Sequence, residues 1–274
     1  MRIAIQGEKG SFSEAAALHL RPAARMRYCA SFAEAFQALM DARVDRALMP
    51  IENSLAGAVG ENYDWLRIHP VHIQAELLLR IRHHLIVPPG QSARTIRRVL
   101  SHPVALQQCR DFLLRHPRWQ AEAYYDTAGS VKHLMRERPP ATAAIAGEPA
   151  ARAYGARILY RGIEDNPQNY TRFVLLGRSP NPVAHGNKIS IVFITANRPG
   201  ALFKALAAFA LRAIDLTRIE SRPIAGKPWE YSFYLDFRGN LRDPGICNAL
   251  RHLDEMSEVL KVIGCYKEAE EIYQ

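Results

Sequence analysis

The residues able to do chemistry stand at the ends of apolar runs. Gly7-Glu8-Lys9-Gly10-Ser11-Phe12-Ser13 follows the strand-like run Met1–Gln6 and leads into a helical pattern. Free backbone N–H groups at a helix start attract anions, and Ser11 and Ser13 add hydroxyl donors. A glycine turn with a serine cap reads equally from the same residues. Pro50-Ile51-Glu52-Asn53-Ser54 closes a second apolar run with three polar side chains, which are costly to bury without partners. A polar turn before Gly57 is the plainer reading of that string. Ser101-His102-Pro103 and Asp126-Thr127-Ala128-Gly129 repeat the scheme of strand end, hydroxyl and helix start. Asn169-Tyr170-Thr171-Arg172-Phe173 sets a hydroxyl beside a guanidinium, a group suited to gripping a carboxylate through two parallel hydrogen bonds. Together these ends offer hydroxyls, amides and arginine to what would be one cleft. That chemistry suits an anionic substrate whose reaction needs orientation and a proton donor.

Other chemistries lack their motifs. No Gly-x-Gly-x-x-Gly, Walker loop, Gly-x-Ser-x-Gly elbow, His-Glu-x-x-His or Asp-x-Asp metal loop occurs. We therefore expect no metal and no cofactor. Cys29, Cys109, Cys247 and Cys265 are far apart, with no Cys-x-x-Cys pair, and read as small buried thiols.

These residues need a scaffold of some size. The chain has 274 residues, 48% of them hydrophobic and 23% charged, which predicts two domains with ordinary cores. The formal net charge is +9, but the basic residues are scattered, so a solvated basic surface is expected and nucleic acid is not. No apolar stretch has the length of a membrane span, and the first residues lack a secretory pattern, so neither membrane nor export is expected. The cytoplasm is the default.

Strand and helix patterns alternate to residue 178. A strand over 1–6 precedes a helix over 13–20 capped by Ser13. Ser31 with Glu34 forms a capping box for a helix to about Ala42. Strands follow over 44–51 and 71–81, with a helix over 61–68 between them. Further strands are expected over 85–87 and 97–100, another ending at Tyr124-Tyr125, and others over 143–146 and 172–176. Helices are expected from Pro103, from a Thr127 cap to Glu137, and over 148–154. Such alternation predicts sheets covered by helices, with ligands beyond the carboxyl ends of strands. Residues 179–187, SPNPVAHGN, have linker composition. Beyond them come a strand (188–195), a helix with Pro199 in its first turn (199–211), strands (216–224 and 230–237), a helix (244–255) and a strand (259–266). That is the β-α-β-β-α-β order of a ferredoxin-like domain.

In joint order, PIENS (50–54), SHPVALQQC (101–109), DTAGSVK (126–132), NYTRF (169–173), PGAL (199–202) and ESRP (220–223) resemble the monofunctional prephenate dehydratases. The resemblance covers nearly the whole chain. It implies an α/β fold: a two-lobed, periplasmic-binding-protein-like catalytic domain (1–178) and a ferredoxin-like ACT regulatory domain (188–274). The lobes would be about 1–76 with 165–178, and 77–164. The implied enzyme is a carbon–oxygen lyase that converts prephenate to phenylpyruvate in phenylalanine biosynthesis. Thr171 would donate to the leaving hydroxyl and Arg172 would hold a substrate carboxylate. Ser11, Asn53, Ser54 and Thr127 would be polar substrate contacts. Asn197, Gly200, Ala201 and Leu202, with Glu220, Ser221, Arg222 and Pro223, would bind phenylalanine as effector, in a homodimer or homotetramer. Arogenate dehydratase and a non-catalytic amino-acid sensor are the alternatives. Val104 stands where many relatives have Gln, and Ser11 where many have Thr.

Overall fold

The computed structural model describes residues 1–181, 186–269 and 271–272. The opening run is β1 (Arg2–Gln6), α1 (Phe12–Leu20), β2 (Arg25–Cys29), α2 (Phe32–Met40) and β3 (Arg46–Asn53). β4 (Gly57–Ala58), α3 (Gly60–Ile68), β5 (His72–Arg80) and β6 (His84–Val87) follow. Next come β7 (Arg98–Ser101), α4 (Pro103–Gln108), α5 (Arg110–Leu114), β8 (Gln120–Ala123), α6 (Thr127–Glu137), β9 (Thr142–Ala146), α7 (Glu148–Tyr154) and β10 (Arg157–Tyr160). The chain continues through β11 (Tyr170–Gly177), β12 (Lys188–Ile194), α8 (Ala201–Ala210), β13 (Leu216–Ile224) and β14 (Lys227–Arg238). α9 (Pro244–Met256), β15 (Val259–Tyr266) and β16 (Glu271–Ile272) complete it.

Three helix starts differ from the sequence expectation. Ser11, not Ser13, caps α1, accepting a hydrogen bond from the Glu14 N–H at 3.2 Å. Asp126, not Thr127, caps α6, accepting from the Gly129 N–H at 2.6 Å. Either neighbour has a suitable oxygen, and the carboxylate also favours the positive end of the helix dipole. Pro199 lies before α8, whose cap is Gly200 at φ 80°, a left-handed conformation that glycine adopts without Cβ strain. At α2 the capping box forms with a shift. Ser31 accepts from the Glu34 N–H, while the Glu34 carboxylate reaches back to the Ala30 N–H.

By compactness the chain forms two units: residues 1–58, 77–173 and the described tail residues 271–272, and residues 59–76 with the described part of 174–269. The division differs from the expected domain boundary, because α3 and the start of β5 pack with the C-terminal part. Part of the linker reading, 182–185, lies outside the described residues.

The first unit carries two sheets. One has the order β16-β5-β11-β3-β1-β2, with β4 on β3; its strands β5 and β11 run on into the second unit. β1 pairs parallel with β2 and β3, so the Gly7 loop and Asn53 leave the same carboxyl edge. The other sheet has the order β10-β6-β9-β7-β8, with β7 parallel to β8 and β9. Its strands alternate strictly. Leu85, Val87, Ala143 and Ile145 enter one apolar cluster, while Ile86, Ala144 and Ala146 enter another with α6 and α7. Gly10 marks a close approach: a Cβ there would lie 2.6 Å from Ala150 Cα, so the loop before α1 can sit against α7 only as glycine.

The second unit holds the antiparallel sheet β13-β14-β12-β15. α8 and α9 cover one face through Ala205, Ala208, Phe209, Ile246, Ala249 and Leu253. With β12-α8-β13-β14-α9-β15, this is the expected ferredoxin-like order.

Candidate active site

The site is built around one amide. β3 ends at Asn53, and the Asn53 Nδ2 group donates to Asn169 Oδ1 (2.7 Å), the Tyr170 carbonyl (3.1 Å) and Thr171 Oγ1 (3.0 Å). Asn53 Oδ1 accepts from the Leu55 and Ala56 N–H groups, which shapes the turn after the strand. It also accepts from Gln108 Nε2 at 3.3 Å. Gln108 Oε1 accepts from Asn169 Nδ2 (2.9 Å) and from His83 Nε2 (3.0 Å). Four segments far apart in sequence thus meet in one network of neutral side chains.

The bond order fixes what Thr171 can do. Its oxygen accepts from Asn53, and among the described residues its own O–H donates to no partner. A hydroxyl has one donor and two acceptor positions, so the proton is left to point at a ligand. Thr171 is 9% exposed and Asn169 fully buried, so that proton sits where water screens little. His83 is buried as well, and burial pushes its imidazole below its ordinary value despite the Gln108 bond. It therefore serves the network as a neutral donor.

The other expected residues fall into three groups. Ser54 belongs to the framework: its hydroxyl donates to the Gln168 carbonyl and accepts from the Tyr170 N–H, both at 2.9 Å. Ser11 and Thr127 stand apart from the network, and no hydrogen bond among the described residues ties them to Thr171. They do share a neighbourhood, since a Cβ on Gly7 would lie 3.5 Å from Ser11 Oγ and 3.3 Å from Asp126 Oδ2. Arg172 is 6% exposed but follows Thr171 on β11. Successive strand residues leave opposite faces, so the two side chains do not stand side by side as the sequence string suggested.

Sequence reasoning missed Gln108, Asn169 and His83 as site residues, although the first two lie inside quoted strings. It also missed a charged cluster at the Gly7 loop. Glu8 pairs with Lys132 at 2.8 Å and accepts from the Tyr125 hydroxyl at 2.9 Å. Burial pushes the Glu8 carboxyl up, but Lys132 and Tyr125 outweigh it and hold the group below the usual range. Nearby Asp126 goes the other way, raised by burial. Phe12, next to Ser11, sets its ring edge-on to His83 with centroids 5.7 Å apart, which links this loop to the Thr171 network.

In the second unit the expected effector residues form two sets. Asn197 and Gly200 are exposed at the β12–α8 turn, with Ala201 and Leu202 half-buried at the start of the helix. Glu220–Pro223 lie on the edge strand β13, where Ser221 and Pro223 are exposed. Glu220 pairs with Arg218 at 3.2 Å, and Arg222 with Asp64 of α3 at 3.1 Å.

The described residues thus form a polar strand-end network on two α/β sheets, with a ferredoxin-like sheet following in the chain. The prephenate dehydratase family model matches residues 3–181. Arogenate dehydratase/prephenate dehydratase 2 of Arabidopsis thaliana is 43% identical over 97% of this chain and 72% of its own length. The prephenate dehydratase of Arthrobacter aurescens, solved with L-Phe, superposes with a TM-score of 0.90 at 31% identity, covering 98% of this chain and 90% of that one. GqqA, described as a novel type of quorum quenching acylase, gives 0.88 at 32% identity, covering 97% of both chains. The chain belongs to the prephenate dehydratase family. It is a carbon–oxygen lyase of aromatic amino-acid biosynthesis, with the periplasmic-binding-protein-like and ACT folds that the resemblance implied. Among the described residues, no helix is long and apolar enough to cross a membrane.

Proposed function

We propose that the chain converts prephenate to phenylpyruvate, with Thr171 as hydrogen-bond donor to the departing hydroxyl. The C–O bond breaks with its electron pair on oxygen, which leaves as water once protonated. The ring carboxylate leaves as carbon dioxide, and its bonding pair completes the aromatic ring. A threonine is a poor bulk acid, so its contribution lies in position and in bonding to charge as it develops. The observation that carries this reading is the Asn53-to-Thr171 bond, which leaves the Thr171 proton unspent. Gln108, Asn169 and His83 hold Asn53 in place, with Ser11 and Thr127 as further polar contacts. The carboxylate role of Arg172 is a separate proposal, tested by Arg172→Lys apart from Thr171. In this reading catalysis resides in 1–178, with lobes of about 1–76 plus 165–178, and 77–164.

Regulation is proposed for 188–274. Phenylalanine would bind Asn197 and Gly200–Leu202 together with Glu220–Pro223, in a homodimer or homotetramer. Support comes from the PGAL and ESRP strings and from the L-Phe complex of the Arthrobacter relative. Binding energies are reciprocal, so substrate must change phenylalanine affinity by the factor that phenylalanine changes substrate affinity.

The plant relative's double name favours a second reading, arogenate dehydratase, whose substrate carries an amine in place of the side-chain keto group. The test is turnover of prephenate and arogenate, each with and without phenylalanine. A kcat/KM at least tenfold higher on prephenate supports the first reading, and the reverse supports the second. Saturable phenylalanine binding without turnover of either would leave a sensor, and turnover by acylase assay alone would align the chain with GqqA.

A further inference from the structure

A cavity of about 620 Å³ opens in the first unit, and its lining includes none of Asn53, Gln108, Asn169 or Thr171. Phe12, whose ring meets His83, and Glu164, which accepts from the His83 N–H, border both the cavity and the surroundings of that network. The volume falls within the range of small-ligand pockets.

The lining is cationic. Arg80, Arg82, Arg152 and Arg161 face it with Glu148 and Glu164. Both carboxylates are already engaged. Glu148 binds Arg152 through one oxygen at 2.7 Å and Arg161 through the other at 3.0 Å, so it aligns two guanidiniums. Those partners, Arg152 first, hold its carboxyl below the usual range, so it stays charged at neutral pH. Glu164 accepts from the His83 N–H at 2.9 Å. On the other side, Arg80 spends only its Nε, on the Pro167 carbonyl at 3.0 Å. Arg82 is half-buried and makes no hydrogen bond or ion pair among the described residues. Four guanidiniums that stay charged at any ordinary pH therefore face two carboxylates, leaving two positive charges to be met. A ligand with two anionic groups would meet both.

We propose that this cavity is a second ligand site, separate from the dehydratase centre, for a small dianion bearing carboxylate or phosphate groups. The guanidinium fork matches both oxyanions, so either source satisfies the chemistry. A dianion is preferred to a monoanion because it neutralises both unbalanced charges.

The test is calorimetric titration of the full chain with malonate, inorganic phosphate and acetate, at low salt and at about 0.5 M salt, where exposed charges are screened. The expected result is saturable binding of malonate or phosphate, at least tenfold tighter than acetate and weaker in high salt. Which of the two binds tighter identifies the oxyanion. Binding should fall at least tenfold in Arg82→Gln, a change that breaks no hydrogen bond or ion pair among the described residues, and further in the R82Q/R161Q double variant. It should persist in Thr171→Val. No saturable binding, equal binding of acetate, survival in R82Q/R161Q or loss in Thr171→Val would each overturn the proposal. None of these outcomes depends on turnover, so the site stands or falls apart from the dehydratase reading.

Discussion

Around Asn53 the buried polar groups are neutral; around Lys188 they are charged. In the first unit, three amides, an imidazole held neutral and a hydroxyl close a network that leaves one O–H proton unspent. In the second, Lys188 meets Glu76 at 2.9 Å with side chains only 9% and 2% exposed, and Glu76 also accepts from the Ala269 N–H. There Ser190 joins Asp236 and Tyr266, and the Tyr234 hydroxyl donates to the Tyr63 carbonyl at 2.7 Å. The charged region spends its bonding capacity on itself, which makes it architecture. Among the described residues the neutral region leaves the Thr171 hydroxyl proton and the His83 Nδ1 without partners, and the free proton makes it a site.

The comparison can be broken most severely at the ion pair. Glu76→Ala leaves the buried Lys188 ammonium with Glu268, 3.8 Å away, in place of its 2.9 Å partner, and should cost about 3–5 kcal/mol of stability, read from urea unfolding. Replacing both partners, in E76L/K188M, should restore most of it; a double variant as unstable as the single one would show that the pair does more than balance charge. At the neutral network the expectation reverses. Asn53→Ala should lower turnover on the order of 10²-fold, the scale of a lost positioned donor, while unfolding shifts by only about 1–3 kcal/mol. Loss of stability without loss of turnover would make Asn53 framework.

The pH response gives a smaller contrast. His83 has a folded value below its ordinary 6.5, so the folded state resists a proton that the unfolded chain accepts. Its contribution is present above pH 6.5 and is lost as pH falls below it. The urea midpoint should therefore drop between pH 7.5 and 5.5, and less in His83→Asn; equal drops would remove His83 from the acid response. The least effect is expected at Arg222–Asp64, whose side chains are 25% and 42% exposed. Arg222→Ala should cost under about 1 kcal/mol, while changing the phenylalanine response if the effector reading holds.

Much of this contrast was written in the sequence, though unevenly. Leu216–Ile224 and Val259–Tyr266 were legible to the residue, each beginning soon after a helix ends. β2 and β10 were not, for a physical reason. Both are partly exposed edge strands; β2 carries arginine at alternate positions and β10 has only four residues, so neither shows the long apolar run of a buried strand. Helix caps shifted by one or two positions because Ser11 competes with Ser13 and Asp126 with Thr127 for the same role. Asn53 and Thr171 were visible as strings, but their bond spans 118 residues and needs the sheet order β11-β3 to exist. Gln108 lay inside the SHPVALQQC string but, like His83, showed no chemistry beyond its type. Amides do not titrate, and a histidine held neutral looks on paper like any other. The opposite faces of Thr171 and Arg172 follow from pleat alone once the strand is known to include Tyr170.

The central claim is that the Thr171 proton, freed by Asn53, meets the departing oxygen. Its direct test is the prephenate kcat of Thr171→Val beside Thr171→Ser. Valine keeps the shape and removes the hydroxyl, so kcat should fall roughly 10²–10⁴-fold with the fold intact by thermal unfolding, while serine stays within about tenfold of the parent. Near-parental turnover in Thr171→Val would contradict the account.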